Sequence, residues 1–172
     1  MTHPNSDSDH KLTYTNENRQ RRLTQFISFF VGGFLIILGL CGILFPGFAG
    51  LHMSSAYSII ISTSGTILFY YSYKKNSLNA FRSCFGFSLF FSLHALAGFI
   101  FGKPGVPSLG YGAADKRLLV LVPGLQELGS VDHILNAILG FALMGGAIDW
   151  WIKYSSEKNN TKSKVRAPSK AV

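Results

Sequence analysis

Charged and uncharged positions in this chain fall into long blocks. Four stretches carry no formal charge: Phe26–Phe45, Ser55–Tyr73, Ser83–Phe101 and His133–Ile148. A membrane-crossing helix needs roughly 20 mainly apolar residues, because the hydrocarbon layer is about 30 Å thick and a helix rises about 1.5 Å per residue. The first three stretches meet that length directly. The fourth meets it when it continues through Asp149 to the Trp150–Trp151 pair, where indoles suit the interface. The pattern predicts an all-α polytopic membrane protein, a four-transmembrane-helix bundle with spans at about 26–45, 55–73, 83–101 and 133–152.

Outside the spans the pattern changes character. Residues 1–24 and 153–172 are rich in Asn, Ser, Thr and charge, and read as disordered tails flanking a transmembrane domain at 25–152. The connections after Phe45-Pro46-Gly47 and around Asn76–Asn79 are short. The third, 102–131, is long, and its Pro104, Gly105, Pro107, Gly110 and Gly112 exclude a helix at its start. Leu118–Val122 is a brief apolar run that Pro123-Gly124 ends, and Leu125–Leu128 has the length of one helical turn. Ser130 is a candidate N-cap for the fourth span, with Asp132 in its first turn, where an acid suits the helix dipole. A loop of this length caps the bundle or carries function.

The bases fix an orientation for this arrangement. Lys11, Arg19, Arg21, Arg22, Lys74, Lys75, Arg82, Lys153, Lys158, Lys162, Lys164, Arg166 and Lys170 fall in the two tails and the middle connection. Only Lys103, Lys116 and Arg117 fall in the others. Thirteen against three places both termini in the cytoplasm, since short Lys/Arg-rich loops stay inside. Phe26–Phe45 is longer than the usual leader core of about 7–15 apolar residues, so it reads as a retained span.

Composition agrees with lipid as part of the solvent. Of 172 residues 48% are hydrophobic and 14% charged, against about 25% charged in soluble domains. The net charge of +8 comes from bases just outside the apolar blocks, where anionic headgroups lie. The partner they indicate is the bilayer rather than nucleic acid. Cys41 and Cys84 lie near opposite ends of their spans, too far apart in depth for a bridge, and no C-x-x-C pair exists.

Small residues recur within the spans, notably Gly32, Gly33 and Gly39, then Gly86, Ser88, Ser92 and Gly98, then Gly140, Gly145 and Gly146. They permit close helix approach inside one bundle, and the same faces would serve a homo-oligomer. Ala56–Gly65 and Val131–Gly140 are weakly alike, as are Cys41–Phe45 and Ala97–Phe101, which suggests two helix pairs in parallel repeat.

Polar residues at membrane depth are the functional candidates. His94, in the third span, has two readings. It is a neutral imidazole bonded across helices, with Ser62, Thr63, Ser64 and Thr66 as partners, or a proton-carrying group in a polar path. Asp132, His133 and Asn136 cluster where the fourth span enters the bilayer, with His52 and Glu127 on the same side. Their spacing matches no metal motif, so helix capping and bundle contacts are expected of them. Asp149 has Lys153 four residues on as an ion-pair partner. No nucleophile motif, phosphate loop or second mid-span His for haem ligation is present, so no cofactor, metal site or catalytic activity is expected.

Several short motifs resemble a family of small four-span bacterial membrane proteins classed as a domain of unknown function. They are Leu51-His52, Ser64-Gly65, Ala80-Phe81-Arg82 with Phe85-Gly86, and Glu127-Leu128-Gly129. The run Asp132-His133-x-x-Asn136-x-x-x-Gly140 completes them, and the resemblance spans about 26–152. In that family Asn and His usually occupy the two polar positions of the fourth span in the opposite order, and Ser58 and Ile61 stand at the equivalents in the second. The resemblance implies a multi-pass protein of the bacterial inner membrane and names no activity. Together these readings predict an accessory or structural inner-membrane component. The alternative is a small transporter or channel subunit with His94 in a polar path.

Overall fold

A computed structural model describes residues 22–45, 50–51, 54–108 and 114–166. Four helices dominate: α1 (Arg22–Leu44), α2 (Ser55–Tyr73), α3 (Ser77–Phe101) and α4 (Ser130–Arg166). Between α3 and α4 lie three short strands, β1 (Lys103–Gly105), β2 (Asp115–Val122) and β3 (Gln126–Leu128). The helices pack as two pairs, α1 with α2 and α3 with α4, joined at the turn Lys74–Asn76.

Glycine makes both pairings close. A Cβ on Gly32 would stand 2.8 Å from the Gly65 carbonyl oxygen and 2.7 Å from the Phe69 amide nitrogen. One on Gly39 would meet the Ser58 carbonyl at 2.6 Å. In the second pair a Cβ on Gly140 would strike Ser92 Oγ at 2.3 Å. Gly65 and Gly140, matched in the weak repeat, thus play the same part. In lipid, where apolar side chains gain little by hiding from their surroundings, such backbone approach is what holds helices together. Hydroxyls tie the pairs at the other end: Thr24 Oγ1 donates to the Gly146 carbonyl at 2.8 Å, Ser72 Oγ to that of Gln25 at 2.5 Å, and Ser28 Oγ meets Cys84 Sγ at 2.9 Å.

Three of the helices are long and apolar enough to cross a membrane: α1 over Leu23–Leu44, α3, and α4 over Ser130–Ser156. Helix α2 has 19 residues but falls short on composition, because Ser, Thr and Tyr fill more than half of it. Its Ser64 and Thr66 hydroxyls turn back onto the carbonyls of Ile60 and Ser62 at 2.8 and 2.9 Å, which lowers the cost of polar groups in apolar surroundings. The outward faces are apolar. Phe30, Phe34, Ile37, Leu93, Ile138 and Phe141 are exposed, the last at 77%, while Ser28, Ser58, Ser64, Ser88 and Asn136 are buried.

Three boundaries depart from the pattern reading. Helix α3 begins at Ser77 rather than 83, because Asn76 caps it by accepting from the Asn79 amide at 3.1 Å. Helix α4 continues to Arg166 instead of giving way to a tail at 153; no Gly or Pro interrupts it between Gly146 and Pro168. The third correction concerns 125–128, which form strand β3 and not a helical turn. Pro123 and Gly124 reverse the chain there, Gly124 at φ +74, with the Leu125 amide bonded to the Val122 carbonyl at 3.0 Å. The sheet is antiparallel in the order β1-β2-β3, with Lys103 opposite Leu118, and Leu119 and Val120 opposite Leu128 and Glu127. The segment 1–21, His52 and the stretch 109–113 lie outside the described residues.

Candidate functional site

The sheet folds over one end of the bundle and is held there by carboxylates. Asp115, at the start of β2, accepts from the Ser130 amide at 2.9 Å and from its hydroxyl at 2.6 Å. Ser130 is therefore the first residue of α4 and not the side chain that caps it. The capping anion comes from the strand, where it also meets the positive end of the helix dipole. Asp132 accepts from the Gly129 amide at 2.7 Å, closing the same turn. Glu127, buried in β3, accepts from the amides of Gly124 and Ser108, both at 2.7 Å, and so pins the hairpin turn to the segment after β1. Ser54 caps α2 and donates to the Leu125 carbonyl, fastening the second helix to the same hairpin.

Beneath this roof the four polar candidates converge. His133, fully buried, donates from Nε2 to the Arg117 carbonyl at 2.8 Å; a carbonyl only accepts, so the proton sits on Nε2. Its Nδ1 has no hydrogen-bond partner among the described residues and is pressed against Gly98, where a Cβ would lie 2.1 Å away. That leaves no room at Nδ1 for a ligand. Asn136, one turn on, accepts through Oδ1 from the Tyr57 hydroxyl at 2.9 Å, joining α4 to α2. The Tyr57 ring lies 6.4 Å from that of His94.

His94 is half-buried and engaged at both nitrogens. Nδ1 donates to the Phe90 carbonyl one turn back at 2.9 Å, which leaves Nε2 to accept from the Gln126 amide at 3.0 Å. The expected Ser62–Thr66 partners are replaced by the hairpin. Helix α2 places Tyr57, in its first turn, beside His94, and the serines and threonines fall farther along that helix. Asp149 and Lys153 form the ion pair the spacing suggested, at 2.5 Å.

The arrangement brings His94, Asp132, His133 and Asn136 to one end of the bundle, where the first three each hold a backbone group and His94 and Asn136 also bond a side chain. Tyr57, Asp115 and Gln126, which the sequence did not single out, supply the partners. The one signal for them was a Pro-Gly turn between two apolar runs, the mark of a hairpin. Cys41 and Cys84 are both free thiols. Among the described residues no three His, Cys, Asp or Glu side chains converge as metal ligands. Comparison with protein-family models, with curated proteins and with solved structures finds no match for this chain.

Proposed function

We propose that this chain is a four-span protein of the bacterial inner membrane, with both termini in the cytoplasm, that serves as an accessory or structural component and performs no catalysis. The observation that carries the reading is its apolar outer surface. Phe, Leu and Ile face outward along the helices, and buried Ser, Asn and His are used to tie helices and hairpin together. A surface of that kind is stable against lipid chains and a liability in water. Helix α2 completes the fourth crossing because it packs along α1 over its length through Gly32, Gly39 and Gly65. Tyr57, Ser58, Ser64 and Ser72 are then buried against the other helices, and the exposed Thr66 hydroxyl is bonded to its own helix.

A second reading, a small transporter or channel subunit, draws on Ser58 Oγ and Asn136 Nδ2. Both are buried without a hydrogen-bond partner among the described residues, and they are the polar atoms that a solute path past His94 would use. Reporter enzymes active only inside or only outside the cell, inserted at Asn76 and after Ser108, test the topology. Cytoplasmic signal at Asn76 and exported signal at Ser108 are expected; the reverse at either position overturns it. Reconstituted liposomes separate the two roles. The accessory role predicts proton and ion flux no higher than in empty vesicles, whereas flux abolished by His94→Gln at unchanged stability favours the transporter.

A further inference from the structure

At the end of the bundle away from the hairpin, α2 and α3 part and leave a cleft of about 430 Å³. Its mouth holds Tyr71, Asn79 and Arg82, and its inner wall is made by Ile67, Gly86 and Phe90. On α3 these residues recur at three- and four-residue spacing, so they form one stripe that runs from polar to apolar. From Arg82 to Phe90 the stripe rises about 12 Å along the helix. Gly86 forms an open floor, since a Cβ there would meet nothing within 4 Å.

The polar end is positive and unsatisfied. Among the described residues the side chains of Tyr71, Asn79 and Arg82 have no hydrogen-bond or ion-pair partner, and Lys74 and Lys75 sit in the adjoining turn. No Asp or Glu occurs anywhere from 18 to 114; of the two acids of α4 toward this end, Asp149 and Glu157, the first is taken by Lys153. The cleft lies just inside the N-terminus of α3, whose dipole adds to the positive field. It is open sideways, with Arg82 and Gly86 both exposed.

We propose that this cleft binds one anionic phospholipid, with Arg82 on the phosphate, Asn79 and Tyr71 on the headgroup oxygens, and an acyl chain laid over Gly86 toward Phe90. The inference rests on the membrane reading above. A guanidinium gives the phosphate two parallel hydrogen bonds. The apolar half of the cleft has no use for a soluble phosphate, and a basic pocket between helices at the cytoplasmic leaflet is where anionic headgroups lie.

Purified protein is stripped of lipid, reconstituted with equal phosphatidylglycerol and phosphatidylcholine, re-extracted in mild detergent and weighed intact by native mass spectrometry. The wild type is expected to retain one phosphatidylglycerol in preference to phosphatidylcholine. Arg82→Gln is expected to reduce that preference about fivefold, the worth of one basic residue at an anionic surface. Arg82→Lys keeps most of it, Gly86→Leu abolishes retention by filling the floor, and Lys116→Gln, beyond the other end, leaves it unchanged. Equal retention by Arg82→Gln and wild type, or no preference in the wild type, overturns the site. Displacement of the lipid by millimolar glycerol phosphate overturns it in favour of a soluble phosphate ligand. An alkaline carbonate wash of cell membranes keeps the two levels apart: release of the protein sinks the membrane reading itself, whereas retention with no lipid preference sinks only the cleft.

Discussion

Gly98 and His133 are two halves of one contact. The imidazole lies flat against a residue with no side chain, and this lets Nε2 reach the Arg117 carbonyl at 2.8 Å. Gly98→Ala would put a methyl inside the ring, so His133 must swing away and leave that carbonyl unpaired. The expected loss is about 1–3 kcal/mol, the cost of a buried group stripped of its partner, measured by thermal unfolding in detergent. His94 gives a milder contrast. His94→Gln keeps a polar group facing Gln126 and is expected to unfold within about 0.5 kcal/mol of wild type. His94→Leu leaves the Gln126 amide without its acceptor and costs about 1 kcal/mol, the usual net worth of one hydrogen bond. Equal stability of the Leu variant and wild type would remove His94 from the set of structural ties.

Between elements, the contrast lies in two adjacent glycines. Gly32 abuts the backbone of α2, whereas a Cβ on Gly33 would meet nothing within 4 Å. Gly32→Ala is therefore expected to prise α1 from α2 at about 1–3 kcal/mol, and Gly33→Ala to leave stability unchanged or raise it slightly. Asp115 is the second test. Asp115→Ala removes the anion at the start of α4, with an expected loss of about 1–2 kcal/mol and faster hydrogen exchange at the Ser130 and Val131 amides. These elements differ in how far the sequence disclosed them. The helices were legible because charge is absent over spans of bilayer length, and the Asp149–Lys153 pair because helical spacing decides it. The hairpin was not, since Leu118–Val122 is a continuous apolar run whose period fits strand or helix equally. Only the Pro123-Gly124 turn discriminates, and in sequence that pair marks the stop of an element as readily as a reversal.

For the molecule as a whole, spacing along one helix placed Asp132, His133 and Asn136 together. That His94 joins them depended on where α2 starts relative to α3, a tertiary offset no local pattern encodes. The length of α4 has a consequence of its own. Its 37 residues extend about 55 Å, against a hydrocarbon layer of about 30 Å. On the membrane reading proposed above, and with its first residue anchored under the hairpin, the last turns form a spar that stands roughly 20 Å clear of the bilayer, more than twice the screening distance of about 8 Å in physiological salt. Spin labels at Ser155 and Ser163 are expected to report this as a steep difference, the first relaxed by lipid-soluble oxygen and the second only by water-soluble nickel. If so, the far end of α4 is held at a fixed height beyond the headgroups, as a rigid post and not a tail.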